Sequence, residues 1–191
     1  MSASAGQCSL PLAATDPEQL GFDLGGCRVE PVQARSILAK SRIPGAEFAI
    51  NPYTGCSFGC AYCYAVFMCR FADRPAEDWG HFVRAKTNLP DVLRRELKSG
   101  RRRNDSIFLS SVTDPYQPAE ARLRLTRAAL EILADTGHQG RIQIMTRSPL
   151  VLRDLDVLQP LDADVGLSLA PLHDSMAPHL EPRTPPLDAR L

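Results

Sequence analysis

The sequence lacks an excess of charge of either sign. Its 22 lysines and arginines stand against 22 aspartates and glutamates, a formal net charge of zero at pH 7. Such a balance gives no support to tight non-specific nucleic-acid binding, although a local basic patch is compatible with it. No run approaches the roughly 18 apolar residues a membrane helix requires, and the stretch Met1 to Leu10 has no basic start leading into an apolar segment. The expected compartment is the cytoplasm, with no membrane partner. Histidines are few: His81, His138, His173 and His179 are scattered, and each is expected to be structural or solvent-exposed. Six cysteines would allow three disulfides, but three crowd one short stretch and no secretory signal is present, so reduced thiols and metal binding fit better. At 191 residues and 44% hydrophobic content, one domain with a substantial core is expected.

What the chain does have is the stretch Asn51 to Ala65, Asn-Pro-Tyr-Thr-Gly-Cys-Ser-Phe-Gly-Cys-Ala-Tyr-Cys-Tyr-Ala, with Cys56, Cys60 and Cys63 inside eight residues. Thiolates are soft ligands for iron–sulfur clusters, zinc or copper(I), and gaps of three and then two residues let one loop wrap one centre. Gly55 and Gly59 permit the backbone conformations such a loop needs. If the loop holds a cubane cluster, three cysteines leave one iron open to a small molecule. Cys8 and Cys27 fall in a leader of small residues and are expected to be exposed or lightly packed, and Cys69 is expected to be an ordinary thiol.

Residues 1 to 28 show no sustained periodicity and are expected to form a flexible arm, with residues 29 to 191 as the core domain. Phe48-Ala49-Ile50 is a strand before the cysteine loop, and Tyr64 to Ala72 a helix after it. Asn88 is placed as the cap of a helix in which Leu89, Val92, Leu93 and Leu97 recur at helical spacing. Then follow a strand over 106–112, a helix over 119–135, a strand over 141–146, a short helix over 151–158 and a strand over 163–169. Alternation of this kind predicts an α/β fold with parallel strands. Ligands gather at the carboxyl ends of such strands, and the cysteine loop, Ser110 to Asp114, Thr146 with Arg147, and Ser168 all fall there. Asp114, preceding Pro115, is expected to order its loop by bonding the backbone.

The pattern Cys-x3-Cys-x-aromatic-Cys after a strand resembles the signature of radical S-adenosylmethionine enzymes. Asn51 to Cys56, Ser110 to Glu120, Arg147 to Asp154 and Leu180 to Arg183 resemble the branch related to spore photoproduct lyase. The resemblance runs from about Pro31 to the last residue. It implies a partial (β/α) barrel of about four of the usual six β/α units, and with it a chain truncated at the C-terminus. It implies a 4Fe–4S cluster on Cys56, Cys60 and Cys63, S-adenosylmethionine on the open iron, and a 5'-deoxyadenosyl radical that abstracts hydrogen from an unknown substrate. Ser111, Arg147 and Ser168 match positions where relatives contact the cofactor, with arginine standing where lysine is usual at Arg147, and Tyr62 is a further expected contact to the adenine, by stacking or through its backbone. A reducing donor of flavodoxin or ferredoxin type is the implied partner, and a nucleic-acid-related substrate has no support from charge. Two other readings stand beside this one: an inactive cluster-binding remnant, and a zinc-binding interaction module whose fourth ligand would be Cys69 or His81.

Overall fold

The structure, a computed structural model, describes residues 21–170 and 175–191. Cys8, His173 and residues 1–20 of the expected arm lie outside the described residues. The sequence reading continues that arm to residue 28. Instead, strands β1 (Phe22–Asp23) and β2 (Arg28–Val32) pair antiparallel, with the Gly26 amide donating to Asp23 Oδ1 at 2.9 Å across the turn. Cys27 is fully buried rather than lightly packed, within a cluster that includes Val29, Tyr53 and Val83. The periodicity was too short to register, since two- and five-residue strands complete little alternation.

Two sheets organise the chain. One has the order β1-β2-β6-β5, with β5 (Tyr53–Thr54) and β6 (Phe82–Lys86), and β2 and β6 run parallel. The other has the order β3-β4-β7-β8-β9. Here β3 (Leu38–Lys40) is antiparallel to β4 (Phe48–Ile50), and β4, β7 (Ile107–Leu109), β8 (Ile142–Thr146) and β9 (Ala163–Leu167) are successively parallel. Strands laid side by side in chain order, with helical segments between them, form the expected barrel sector. Ile107, Leu109, Ile142 and Ile144 of this sheet pack with Leu93 and Leu97 of α1 (Leu89–Leu97) and with Leu130 and Leu133 of α3 (Leu125–Asp135). The smaller sheet has its own core with Ala119 and Leu125.

Local chemistry moves several expected boundaries. Tyr64–Ala72 has 3-10 hydrogen bonding rather than α-helical geometry. The Asn88 side chain does not cap α1; its amide group instead bonds both the amide and the carbonyl of Ala34 at 2.9 Å, fastening the segment after β2 to the helix start. The expected helix over 119–135 is two, α2 (Pro118–Leu123) and α3, broken at Arg124 with φ 54°. The cause is Glu120, whose buried carboxylate accepts from the amides of Thr126 at 2.9 Å and Arg127 at 3.2 Å, from Arg153 at 2.9 Å and from the Tyr53 hydroxyl. A carboxylate that takes those first amides of α3 ends one helix and starts the next. The last helix before β9 is likewise divided, into a 3-10 segment Pro149–Asp154 and α4 (Leu155–Leu158).

Candidate cofactor site

The carboxyl ends of β4, β7 and β8 open into one cavity of about 310 Å³. The cysteine loop follows β4, the turn Ser110–Asp114 follows β7, and Arg147 follows β8, and each contributes to the wall. Cys56, Cys60 and Cys63 all line it, with Phe58 and Trp79 supplying apolar surface.

The loop that carries the thiols is tied down on both sides. Gly55 has φ 85°, and a Cβ there would run into the Phe82 carbonyl and ring. Its own carbonyl accepts from Thr113 Oγ1 at 2.7 Å and from Gln117 Nε2 at 3.3 Å, while Gln117 Oε1 accepts from the Ser57 amide at 2.9 Å. Gln117 is thus a buried clamp on the cysteine loop. Burial pushes up all three thiols. Cys60 rises to about 11, with the Arg147 charge opposing; Cys56 rises further, with Asp114 adding to the effect; Cys63 rises against the Ala65 amide, Arg147 and Trp79.

Arg147 lies in a network that ordinary pattern reading missed. Its Nε donates to Glu181 Oε1 at 2.9 Å, its Nη2 reaches the Tyr62 hydroxyl at 3.1 Å, and its guanidinium sits 5.7 Å from the Tyr62 ring centroid. Tyr62 also donates to Glu181, whose other oxygen accepts from Arg190 Nη1 at 2.7 Å. Burial would raise the Glu181 carboxyl, but bonds from Tyr62, Arg147 and Arg190 outweigh it and hold the group below the usual glutamate range. Burial, with the bond to Glu181, pushes the Tyr62 phenol up to about 12. Leu180 adds a backbone tie by accepting from the Ala61 amide at 2.9 Å. The signal for Glu181 was present in the phrase Leu180 to Arg183, which carried no assigned role.

Asp114 orders its loop as expected, through the Tyr116 amide at 2.9 Å, and also reaches the next strand through Thr146 Oγ1 at 2.7 Å and the Arg147 amide at 2.8 Å. Ser111 lines the cavity, but its hydroxyl lies against the Asn51 side chain at 3.3–3.4 Å. Ser168 stands apart: it follows β9, donates its amide to the Thr146 carbonyl at 2.8 Å, and is not part of the cavity wall. The structure therefore gathers Tyr62, Ser111, Arg147 and the three thiols, and leaves Ser168 one strand away.

Three thiols of one loop on the cavity wall are a donor set that suits an iron–sulfur cluster. Among the described residues, no three His, Cys, Asp or Glu side chains already converge as donors to one metal ion. A cluster asks for one thiolate on each of several irons, whereas a single zinc asks for all its donors at bond length from one point. Both residues that could complete a zinc site are engaged elsewhere. Cys69 is buried with Ala72 and Phe82, and His81 Nδ1 lies 3.1 Å from the Gly26 carbonyl with Arg183 beside the ring. Among the described residues, no helix is long and apolar enough to cross a membrane.

The family model for the Radical SAM superfamily matches residues 50–191. An uncharacterised protein of Methanocaldococcus jannaschii is 35% identical over 161 residues, covering 84% of this chain and 58% of that protein. One from Mycobacterium tuberculosis is 34% identical over 163 residues, covering 80% of this chain and 47% of the relative. The chain thus spans about half the length of the curated relatives it matches. Among solved structures, a spore photoproduct lyase double mutant with bound AdoMet and dinucleoside spore photoproduct superposes with a TM-score of 0.65 at 20% identity, over 85% of this chain and 45% of that one. The same lyase complexed with dinucleoside spore photoproduct gives 0.64 at 21%, over the same shares. The fold is shared with these lyases, and the match over residues 50–191 settles the wider kinship: the chain belongs to the radical SAM superfamily.

Proposed function

We propose that the cavity holds a 4Fe–4S cluster on Cys56, Cys60 and Cys63 together with S-adenosylmethionine, and that the chain carries the core of a radical SAM enzyme. When bound, this pair supplies a 5'-deoxyadenosyl radical for hydrogen abstraction, once an electron arrives from a reduced flavodoxin- or ferredoxin-type donor. The observation that carries the reading is the meeting of three thiols and one arginine fork in a single cavity at the carboxyl ends of three parallel strands.

The chain's own groups divide the work. Arg147 Nε and Nη2 are occupied by Glu181 and Tyr62, which leaves Nη1 to offer hydrogen bonds to the cofactor carboxylate. Asp114 fixes the Arg147 backbone and Glu181 fixes its guanidinium, so the fork is held in place before anything binds. Tyr62 and Ser111 border the same space, whereas Ser168 lies outside the cavity wall. Phe58 and Trp79 keep water from the thiols. The fold neighbours bind a dinucleoside photoproduct, so a nucleic-acid-related substrate is the first class to test.

The test compares iron and acid-labile sulfide after anaerobic reconstitution of the wild type and the C56A/C60A/C63A variant. Near four irons and four sulfides in the first and none in the second are expected for a cubane held by three thiolates. Equal loading of both, or stoichiometric zinc without sulfide, overturns the assignment.

A further inference from the structure

Trp79 is the only tryptophan in the chain. Its indole nitrogen is buried and makes no hydrogen bond to any described residue. A buried donor left unmade costs about 1–3 kcal/mol, so its retention calls for an acceptor that binding would bring. The surroundings say which: the ring packs against Cys56, Phe58 and Cys60 as well as against Cys69, Ala72 and Phe82, and it lines the cavity with the three thiols Cys56, Cys60 and Cys63.

The backbone that carries the indole is also packed against the cysteine loop. Gly59 of the cysteine loop and Gly80, next to Trp79, meet so closely that a Cβ on Gly80 would stand 2.9 Å from Gly59 Cα, and both have positive φ. The Trp79 amide donates to the Ala76 carbonyl at 3.1 Å, and Arg183 donates to the Gly80 carbonyl. The backbone that carries the ring is thus fixed on both sides, next to the cysteine loop.

We propose that the Trp79 indole N–H donates to a sulfur of the cluster held on Cys56, Cys60 and Cys63 and thereby raises its reduction potential. The proposal rests on the cluster reading given above. A neutral thiol is a weak acceptor, whereas a cluster-bound thiolate carries negative charge that grows on reduction. A donor aimed at it therefore favours the reduced state, and cluster potentials respond to such bonds and to exclusion of solvent.

The test is an anaerobic redox titration, followed by electron paramagnetic resonance, of reconstituted wild type and Trp79→Phe at equal iron content. Phenylalanine keeps an aromatic wall and removes only the donor. The variant is expected to show a lower midpoint, hence a smaller reduced fraction at fixed poise. Because there is a single tryptophan, indole-15N labelling of the wild type gives a second reading that needs no variant: the reduced cluster should couple to one exchangeable indole N–H. An unchanged midpoint or an absent coupling, with the cluster loaded, overturns the role of Trp79 alone. A wild type that takes up no cluster overturns this proposal together with the reading beneath it.

Discussion

Replacing Glu181 with alanine should destabilise the fold far more than a surface charge would. Its side chain is 0% exposed and that of its partner Arg190 is 1% exposed, so removal of the carboxylate leaves a guanidinium buried without its counter-charge. Breaking such a buried pair typically costs about 3–5 kcal/mol. The Arg147 arm adds less, because that side chain is 22% exposed and can turn partly to water. For a domain of this size the loss corresponds to a fall in Tm of about 6–20 °C. Urea unfolding followed by circular dichroism measures it. The double variant Glu181→Leu with Arg190→Met should be milder than Glu181→Ala alone, since it leaves neither buried charge. The pH dependence has a fixed sign. A carboxyl held below its usual range contributes stability that is fully present above the unfolded value of about 4.3 and is lost as pH falls through the folded one. The gap between wild type and Glu181→Ala should therefore be complete at neutral pH and shrink on acidification. A loss under about 1 kcal/mol, or a double variant as unstable as the single, refutes the burial argument.

Three further outcomes follow from the site. Cys69→Ala should load iron and sulfide as the wild type does, because Cys69 belongs to a separate apolar cluster; a lost cluster would make it a ligand after all. Gly55→Ala forces a side chain into the Phe82 carbonyl at φ 85°, where strain alone is worth about 1–3 kcal/mol. Reconstituted iron content should drop sharply, and full loading would show that the loop tolerates the shift. Arg147→Ala should weaken S-adenosylmethionine binding by about 1.5–3 kcal/mol, roughly 10- to 100-fold in Kd, with cluster content unchanged and Arg147→Lys in between. Calorimetric titration of the reconstituted protein reads this directly, and an unaltered Kd excludes the contact.

Legibility in the sequence followed the reach of the interactions. The strand Phe48–Ile50 and the helix Leu89–Leu97 declared themselves through local apolar pattern, and the cysteine loop through spacing. The smaller sheet did not, because β5 is two residues inside the cysteine phrase and β1 two residues beside a glycine turn. The break at Arg124 was unreadable, since neither glycine nor proline marks it and its cause is the Glu120 carboxylate folded onto the following amides. Glu181 escaped notice for a related reason: it meets Tyr62 across 119 positions, a pairing that only the tertiary fold creates. Trp79 likewise reaches the thiols only once Gly59 and Gly80 are pressed together.

The central claim, a thiolate-held cluster with S-adenosylmethionine in one cavity, is tested most directly by electron paramagnetic resonance of the anaerobically reconstituted, reduced protein with and without S-adenosylmethionine, combined with assay of 5'-deoxyadenosine. The account predicts a reduced-cluster signal that changes when the cofactor is added, and formation of 5'-deoxyadenosine that disappears in Cys60→Ala. A cluster signal indifferent to S-adenosylmethionine, with no 5'-deoxyadenosine formed, would contradict it.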